Sequence, residues 1–253
     1  MTELLIDIGN TRIKWALLGN GKLSRQEATP HAKWTPMDFQ RRVLQSAPGI
    51  ERILVVSVAS EVVNKTITEV AQRSLKLTPE FFVSARAVGG VTTRYFDPWR
   101  LGVDRFAAVI GAHARAKNRA ACVIDAGTAI TIDLVDAKGL HRGGAIVPGS
   151  ELMVKSLLKN TTGIETRARG GSRGKGVFAR ETSAAIEQGA AYAAAAVVDR
   201  AVIEARTTLR NAPLVYLTGG AAKQIHPLLH STHVSIPDLV LRGLAVSFGL
   251  RVK

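Results

Sequence analysis

An α/β fold made of two related halves is what this 253-residue sequence predicts, and three observations carry the prediction. Strand-like apolar runs alternate with helical segments along the chain, the pattern of layered α/β architecture. A strand, an acidic turn and a second strand open the chain at LLIDIGNTRIKWALL, Leu4 to Leu18, and the same order returns at CVIDAGTAITIDLV, Cys122 to Val135. The composition, 46% apolar and 21% charged, is that of a globular chain, so disordered and collagen-like classes are set aside.

In the first half, LLIDIG, IKWALL and GKLSRQEA read as a meander of strands. A Thr-Pro start predicts a helix over Thr35 to Ser46, and ERILVVSVA, Glu51 to Ala59, is a buried strand behind it. Val62 to Leu75 has helical spacing, and PEFFVS, Pro79 to Ser84, has strand composition. Phe106, Ala107, Val109, Ile110 and Ala114 line one face of a helix over Asp104 to Lys117. The second half restarts with ACVIDAG, ITIDLVD and GLHRGGAIVPG as strands, and a helix begins over Leu152 to Leu158. A long helix spans Thr182 to Arg206, PLVYLTGG is a strand ending on glycines, and Pro237 to Leu250 is a final helix. The boundary is placed near residue 118, which gives domains 1–117 and 118–253.

The repeat can be counted. Sliding Leu4–Leu17 by 118 positions onto Cys122–Val135 superposes Ile6 on Ile124, Asp7 on Asp125 and Gly9 on Gly127. Two halves built on one turn predict a pseudo-symmetric molecule with its ligand between them. A buried acid is costly unless it is paired or working on something. Glycine lets the turn backbone approach a ligand, and Asn10, Thr11 and Thr128 supply short donors beside it, which is phosphate-cradle chemistry. Asp7 and Asp125 would be misplaced against phosphate unless a cation such as Mg²⁺ stands between, so the acids imply the metal.

Other classes fit less well. The stretch RGGSRGKGV, Arg169 to Val177, has Gly176 where a Walker loop needs Ser or Thr, and no Gly-x-Gly-x-x-Gly follows a strand. His226, His230 and His233 have suggestive spacing, but Pro227 interrupts them and no acid is near, so a surface loop is preferred to a zinc site. The net charge of +14 would suit a polyanion, yet residues 1–118 and 119–253 each carry 17 basic and 10 acidic side chains. Nucleic-acid modules more often concentrate their charge. The Ala184 to Ala205 stretch is broken by charges and cannot span a membrane. A lone Cys122 inside an apolar run reads as a buried small hydrophobe, and with Glu3 and Asp7 interrupting the first apolar segment a cytoplasmic protein is expected.

Four motifs in order resemble the signature of the type III pantothenate kinases, a group that includes proteins called Bvg accessory factor. They are Asp7-Ile8-Gly9-Asn10-Thr11, YFDPWRLGVDR from Tyr95 to Arg105, DAGTAITID from Asp125 to Asp133, and GGAIVPG from Gly143 to Gly149. The resemblance implies a fold similar to the acetate and sugar kinase, Hsp70 and actin (ribonuclease H-like) superfamily, with two actin-like ATPase domains around an ATP cleft. It implies transfer of the ATP γ-phosphoryl group to the hydroxyl of pantothenate, the first step toward coenzyme A. It also implies a homodimer that needs Mg²⁺ and a monovalent cation, K⁺ or NH₄⁺.

Roles follow residue by residue from the resemblance. Asp7, Gly9, Asn10, Thr11 and Lys14 of the first hairpin and Gly127 and Thr128 of the second would bind ATP phosphates, with Asp7 and Asp125 toward the metal. Gly219 and Gly220 would contact adenosine, although a strand-to-helix turn explains them locally as well. Asp104 would be the base toward the pantothenate hydroxyl; its other reading is a helix N-cap. Arg105 would hold the acceptor, whose carboxylate suits a guanidinium fork. Tyr95, Gly102 and Val103 would line the same pocket, and Thr182 would lie on the acceptor side, where the preceding Glu181 departs from the family's Asn. The basic, glycine-rich segment Arg167 to Arg180 is either a mobile loop closing over anionic ligands or solvated surface. Two alternatives stand beside this reading: a kinase of the same superfamily with another hydroxyl or carboxylate acceptor, and a regulatory protein that binds nucleic acid.

Overall fold

A computed structural model of the chain describes residues 2–45, 49–161, 163 and 176–253. Its contacts divide the chain into two compact units that do not follow a single cut: Met1–Arg119, Ala137–Gly143 and Asp238–Lys253 form the first, and Ala120–Asp136 with Gly144–Pro237 the second.

In the first unit, β1 (Thr2–Ile8) lies between antiparallel β2 (Arg12–Gly19) and parallel β5 (Arg52–Ser57). That central place explains why LLIDI is apolar almost without alternation, since both faces of the strand are covered. Leu4, Ile6, Ile13, Ile53 and Val55 join Phe39, Val43 and Ile67 in one core cluster. Short β3 (Lys22–Leu23) and β4 (Glu27–Pro30) pair with β2, and β6 (Glu80–Phe81) extends β5. The helix expected from Thr35 has two parts. In α1 (Pro36–Phe39), Thr35 and Asp38 form a reciprocal capping box, and a π-helical turn over Gln40–Leu44 follows. Ser46, the expected end, lies outside the described residues. The helix α2 (Glu61–Leu75) packs on the same cluster.

A hairpin of β7 (Ala87–Val88) and β8 (Val91–Thr93), which periodicity did not signal, leads through a 3₁₀ turn at Pro98–Arg100 to α3 (Val103–Ala116).

Strands β9 (Ala121–Ala126) and β10 (Ala129–Val135) form an antiparallel hairpin in the second unit. β9 also pairs in parallel with β12 (Leu214–Thr218), which pairs in parallel with β13 (Val234–Ser235). The order β10-β9-β12-β13 therefore repeats β2-β1-β5-β6 with the same senses of pairing. Between these strands run β11 (Leu140–Pro148), α4 (Ser150–Asn160), α5 (Thr182–Leu209) and α6 (Ala222–Ile225). Ala194, Val198 and Val202, four residues apart on α5, pack with Cys122, Ile124 and Leu217, so the alanine-rich composition serves close helix-on-sheet approach. Cys122 is buried, and desolvation pushes its thiol up to about 12. Among the described residues no helix is long and apolar enough to cross a membrane.

The last helix, α7 (Leu239–Ser247), packs on α3 within the first unit. Glycines permit that crossing. A Cβ on Gly111 would stand 2.9 Å from Gly243 N, and one on Gly243 would run into the Ala107 carbonyl. Overpacking of this kind typically costs about 1–3 kcal/mol, and more where backbone must move. Gly243→Ala is accordingly expected to lower the unfolding free energy by at least about 2 kcal/mol in a urea titration, whereas Gly163→Ala, which meets nothing within 4 Å, stays near wild type.

Candidate active site

The first hairpin places Asp7 directly opposite Lys14 in the β1–β2 register, and Lys14 Nζ donates to Asp7 Oδ2 at 2.9 Å. Asp7 is only 4% exposed, so this pairing is what lets a carboxylate stand in a core strand. The turn closes through Gly9 N–H to Arg12 O at 3.0 Å, while Asn10 and Thr11 are exposed at its tip. His31 secures it from β4's end: its Nε2 donates to Gly9 O at 2.7 Å, and its backbone N–H to Thr11 O at 3.3 Å.

The same unit brings the YFDPWRLGVDR motif to this hairpin. Helix α3 starts at Val103 with Gly102 as its N-cap, so Asp104 is not the cap residue; it stands in the first turn, where its Oδ1 accepts the Arg105 backbone N–H at 2.8 Å. Burial raises the Asp104 carboxyl above the ordinary aspartate value, and the negative charge of Asp7 raises it further against the lowering effect of that backbone bond. Two carboxylates therefore share one small region. Arg105, 6% exposed, donates from Nη1 to the Tyr95 hydroxyl at 3.1 Å. The loop carrying Tyr95 is fixed by Arg86, which donates to the carbonyls of Thr93, Tyr95 and Phe96 at 3.0, 2.7 and 2.9 Å.

The second unit holds the other predicted residues. Asp125 is the penultimate residue of β9, opposite Thr131 on one side and Thr218 on the other. The turn closes through Gly127 N–H to Ala129 O at 2.9 Å, and Thr128 O accepts from Gly149 N–H at 2.9 Å. This turn is one residue tighter than the first, so the 118-residue slide that superposes the outgoing strands is one position out of register on the return strand. Lys14 accordingly has no equivalent across from Asp125; a threonine stands there. Gly219 adopts φ +99°, and a side chain there would strike the Ala126 carbonyl and the Asp125 carboxylate. The glycine pair Gly219-Gly220 and the second acidic turn are thus neighbours. Thr182 is the first residue of α5 and Glu181 its N-cap.

Sequence reasoning missed His31, Arg86 and His141. Each acts on backbone or on another side chain outside its own element, from seven to ten residues away for Arg86 to 48 for His141, so no local spacing marks it. Most of the basic segment Arg167 to Arg180 lies outside the described residues. The histidines His226 and His233 are in direct contact, Nδ1 to Nε2 at 2.6 Å, and among the described residues no group of three or more metal-ligating side chains is present.

Solved structures with the same architecture define the class. The 2-hydroxyglutaryl-CoA dehydratase component A of Acidaminococcus fermentans superposes with a TM-score of 0.55 at 12% identity, covering 99% of this chain and 98% of that one. The ethanolamine utilization protein EutJ of Carboxydothermus hydrogenoformans gives 0.55 at 15% identity, covering 98% and 90%. With the repeated hairpin-and-parallel-strand topology, this is the acetate and sugar kinase, Hsp70 and actin fold. Residues 3–204 match the type III pantothenate kinase family model. The type III pantothenate kinase of Nitrosococcus oceani is 36% identical over 96% of this chain and 92% of its own, and that of Janthinobacterium sp. (strain Marseille) is 38% identical over 95% of both. The chain belongs to the type III pantothenate kinase family.

The electrostatics of Asp104 set a stability signature. A carboxyl raised in the folded state binds its proton more tightly there than in the unfolded chain, so its stabilising contribution is complete below the unfolded value near 3.8 and is lost as pH rises through the higher folded value. Asp104→Asn, uncharged throughout, is expected to gain thermal stability relative to wild type between pH 3 and pH 7. Melting curves of both proteins across that range check the sign.

Proposed function

We propose that the protein transfers the γ-phosphoryl group of ATP to the primary hydroxyl of pantothenate, giving 4′-phosphopantothenate. The observation that carries the reading, beside family membership, is the grouping of Asp104 and Arg105 against the Asp7 hairpin in one unit. Phosphoryl transfer needs alignment and charge neutralisation more than covalent help. As the pantothenate oxygen bonds to the γ-phosphorus and the bond to the ADP oxygen breaks, the hydroxyl proton passes to Asp104. A carboxylate whose proton affinity is increased by burial and by Asp7 is better suited to that task than an exposed one. Arg105, its guanidinium anchored on the Tyr95 hydroxyl, binds the pantothenate carboxylate, and Tyr95, Gly102 and Val103 line the acceptor pocket. Thr182 serves the acceptor side.

The exposed residues Asn10, Thr11 and Thr128, through the carboxamide, the hydroxyls and the turn backbone, with Lys14 as a cation beside the first turn, receive the phosphates. Gly219, which packs too closely on Asp125 and Ala126 to carry a side chain, brings the Gly219-Gly220 backbone against the second turn, where it would contact the adenosine. Asp7 and Asp125 offer the hard oxygen donors that suit Mg²⁺, a cation that commonly keeps waters and takes one or two carboxylates beside phosphate oxygens. Such an ion would offset the negative charge of the transferring group. A monovalent cation, K⁺ or NH₄⁺, completes the requirement. The reading includes a cytoplasmic homodimer: Phe96, 99% exposed, and Trp99 present an apolar surface beside the acceptor motif that a second copy would cover. An evenly spread charge of +14 suits anionic substrates without calling for nucleic acid.

A coupled assay with ATP, Mg²⁺, K⁺ and pantothenate should show ADP formation that depends on pantothenate and falls when K⁺ is withheld. Asp104→Asn should lower kcat by about 10²–10⁴ while keeping the wild-type circular dichroism. ADP formed only with another hydroxyl or carboxylate acceptor would move the reading to a different kinase of the superfamily, and no acceptor-dependent ADP would end it.

A further inference from the structure

A buried histidine stands behind the acceptor motif with no part in the roles given above. His141 is 0% exposed and faces Thr93 in the parallel β8–β11 register. Its Nδ1 lies 3.3 Å from Thr93 Oγ1, and the same Oγ1 accepts the Tyr95 backbone N–H at 3.2 Å. The imidazole also stacks on the Tyr95 ring, with centroids 5.8 Å apart and planes inclined by 22°. Tyr95 in turn holds Arg105 twice, through its hydroxyl at 3.1 Å and through its ring face, with the guanidinium 6.0 Å from the centroid. An imidazole is a costly residue to enclose if packing alone is required, because a leucine or phenylalanine would fill the space without a polar edge to satisfy. Here its polar edge reaches the hydroxyl that fixes the Tyr95 backbone while its face fixes the Tyr95 ring. Both restraints act on one side chain.

We propose that His141 is a positioning residue for acceptor binding: by fixing Tyr95 it sets the place of the Arg105 guanidinium, and so selects for an acceptor with a carboxylate at that point. The inference rests on the pantothenate kinase reading. All four residues belong to the first unit, so the chain of contacts is continuous from β11 to α3.

A double-mutant cycle tests it. His141→Ala should raise KM for pantothenate about tenfold, the scale of one lost hydrogen bond, with KM for ATP within about twofold of wild type. Tyr95→Ala, which removes both holds on Arg105, should have an effect at least as large, and the double variant should be no worse than the poorer single one. His141→Phe, which keeps an aromatic ring and loses the bond to Thr93, should lie between wild type and His141→Ala; it carries the same cycle if the alanine variant does not fold. Independent effects that multiply in the double variant, or equal losses for ATP and pantothenate, would overturn the positioning role while leaving the kinase reading intact. Wild-type protein without pantothenate-dependent turnover would overturn both.

Discussion

The pairing of Asp7 with Lys14 is the constraint on which the first unit's chemistry depends. A carboxylate buried near the end of a core strand is costly without a partner, and the antiparallel return strand supplies an ammonium directly across from it. That register is not negotiable. A one-residue slip would send Lys14 to the other face and leave the acid buried alone, so the hairpin that displays Asn10 and Thr11 is specified by the same contact that makes Asp7 tolerable. The charge so retained is felt by Asp104 at the start of α3, which links the strand pair to the acceptor motif through electrostatics.

The two units repeat a topology without repeating its chemistry. Each is a hairpin whose first strand takes a parallel neighbour on the other side, and each puts an aspartate near the end of that strand. The second turn is shorter by one residue, and Thr131 replaces lysine opposite the acid. In its place the second turn gains a glycine neighbour, Gly219, whose φ of +99° and missing side chain let the end of β12 pack directly on Asp125 and Ala126. Sheet symmetry is therefore a property of the hydrophobic pattern, whereas division of labour between the hairpins comes from turn length and from a few side chains on the return strands.

Arg105 shows how a flexible cation becomes a directed one. Arginine carries much rotamer freedom, and orienting its fork is costly unless the surroundings have already done so. The phenol of Tyr95 supplies one restraint, and the loop bearing that phenol is held in turn by Arg86 through three carbonyls. Preorganisation of this sort suits a reaction governed by alignment.

Read alone, the sequence settled the alternation of strands and helices, the duplicated acidic turn and the ordered motifs, because each is written in local periodicity or in contiguous residue types. Asp7 announced itself as an acid where an apolar residue was due, and Asp104 and Arg105 stood within a recognisable run. Other features belonged to the fold alone. The last helix joins the first unit because Gly111 and Gly243 permit a close crossing. Thr35 began a helix that turns π-helical after four residues, and Gly102 capped α3 in place of Asp104. His31, Arg86 and His141 gained their meaning from partners many residues away, the last across 48 positions to Thr93. Periodicity reports which face of an element is buried, but which side chain meets which is decided only when distant elements are packed together.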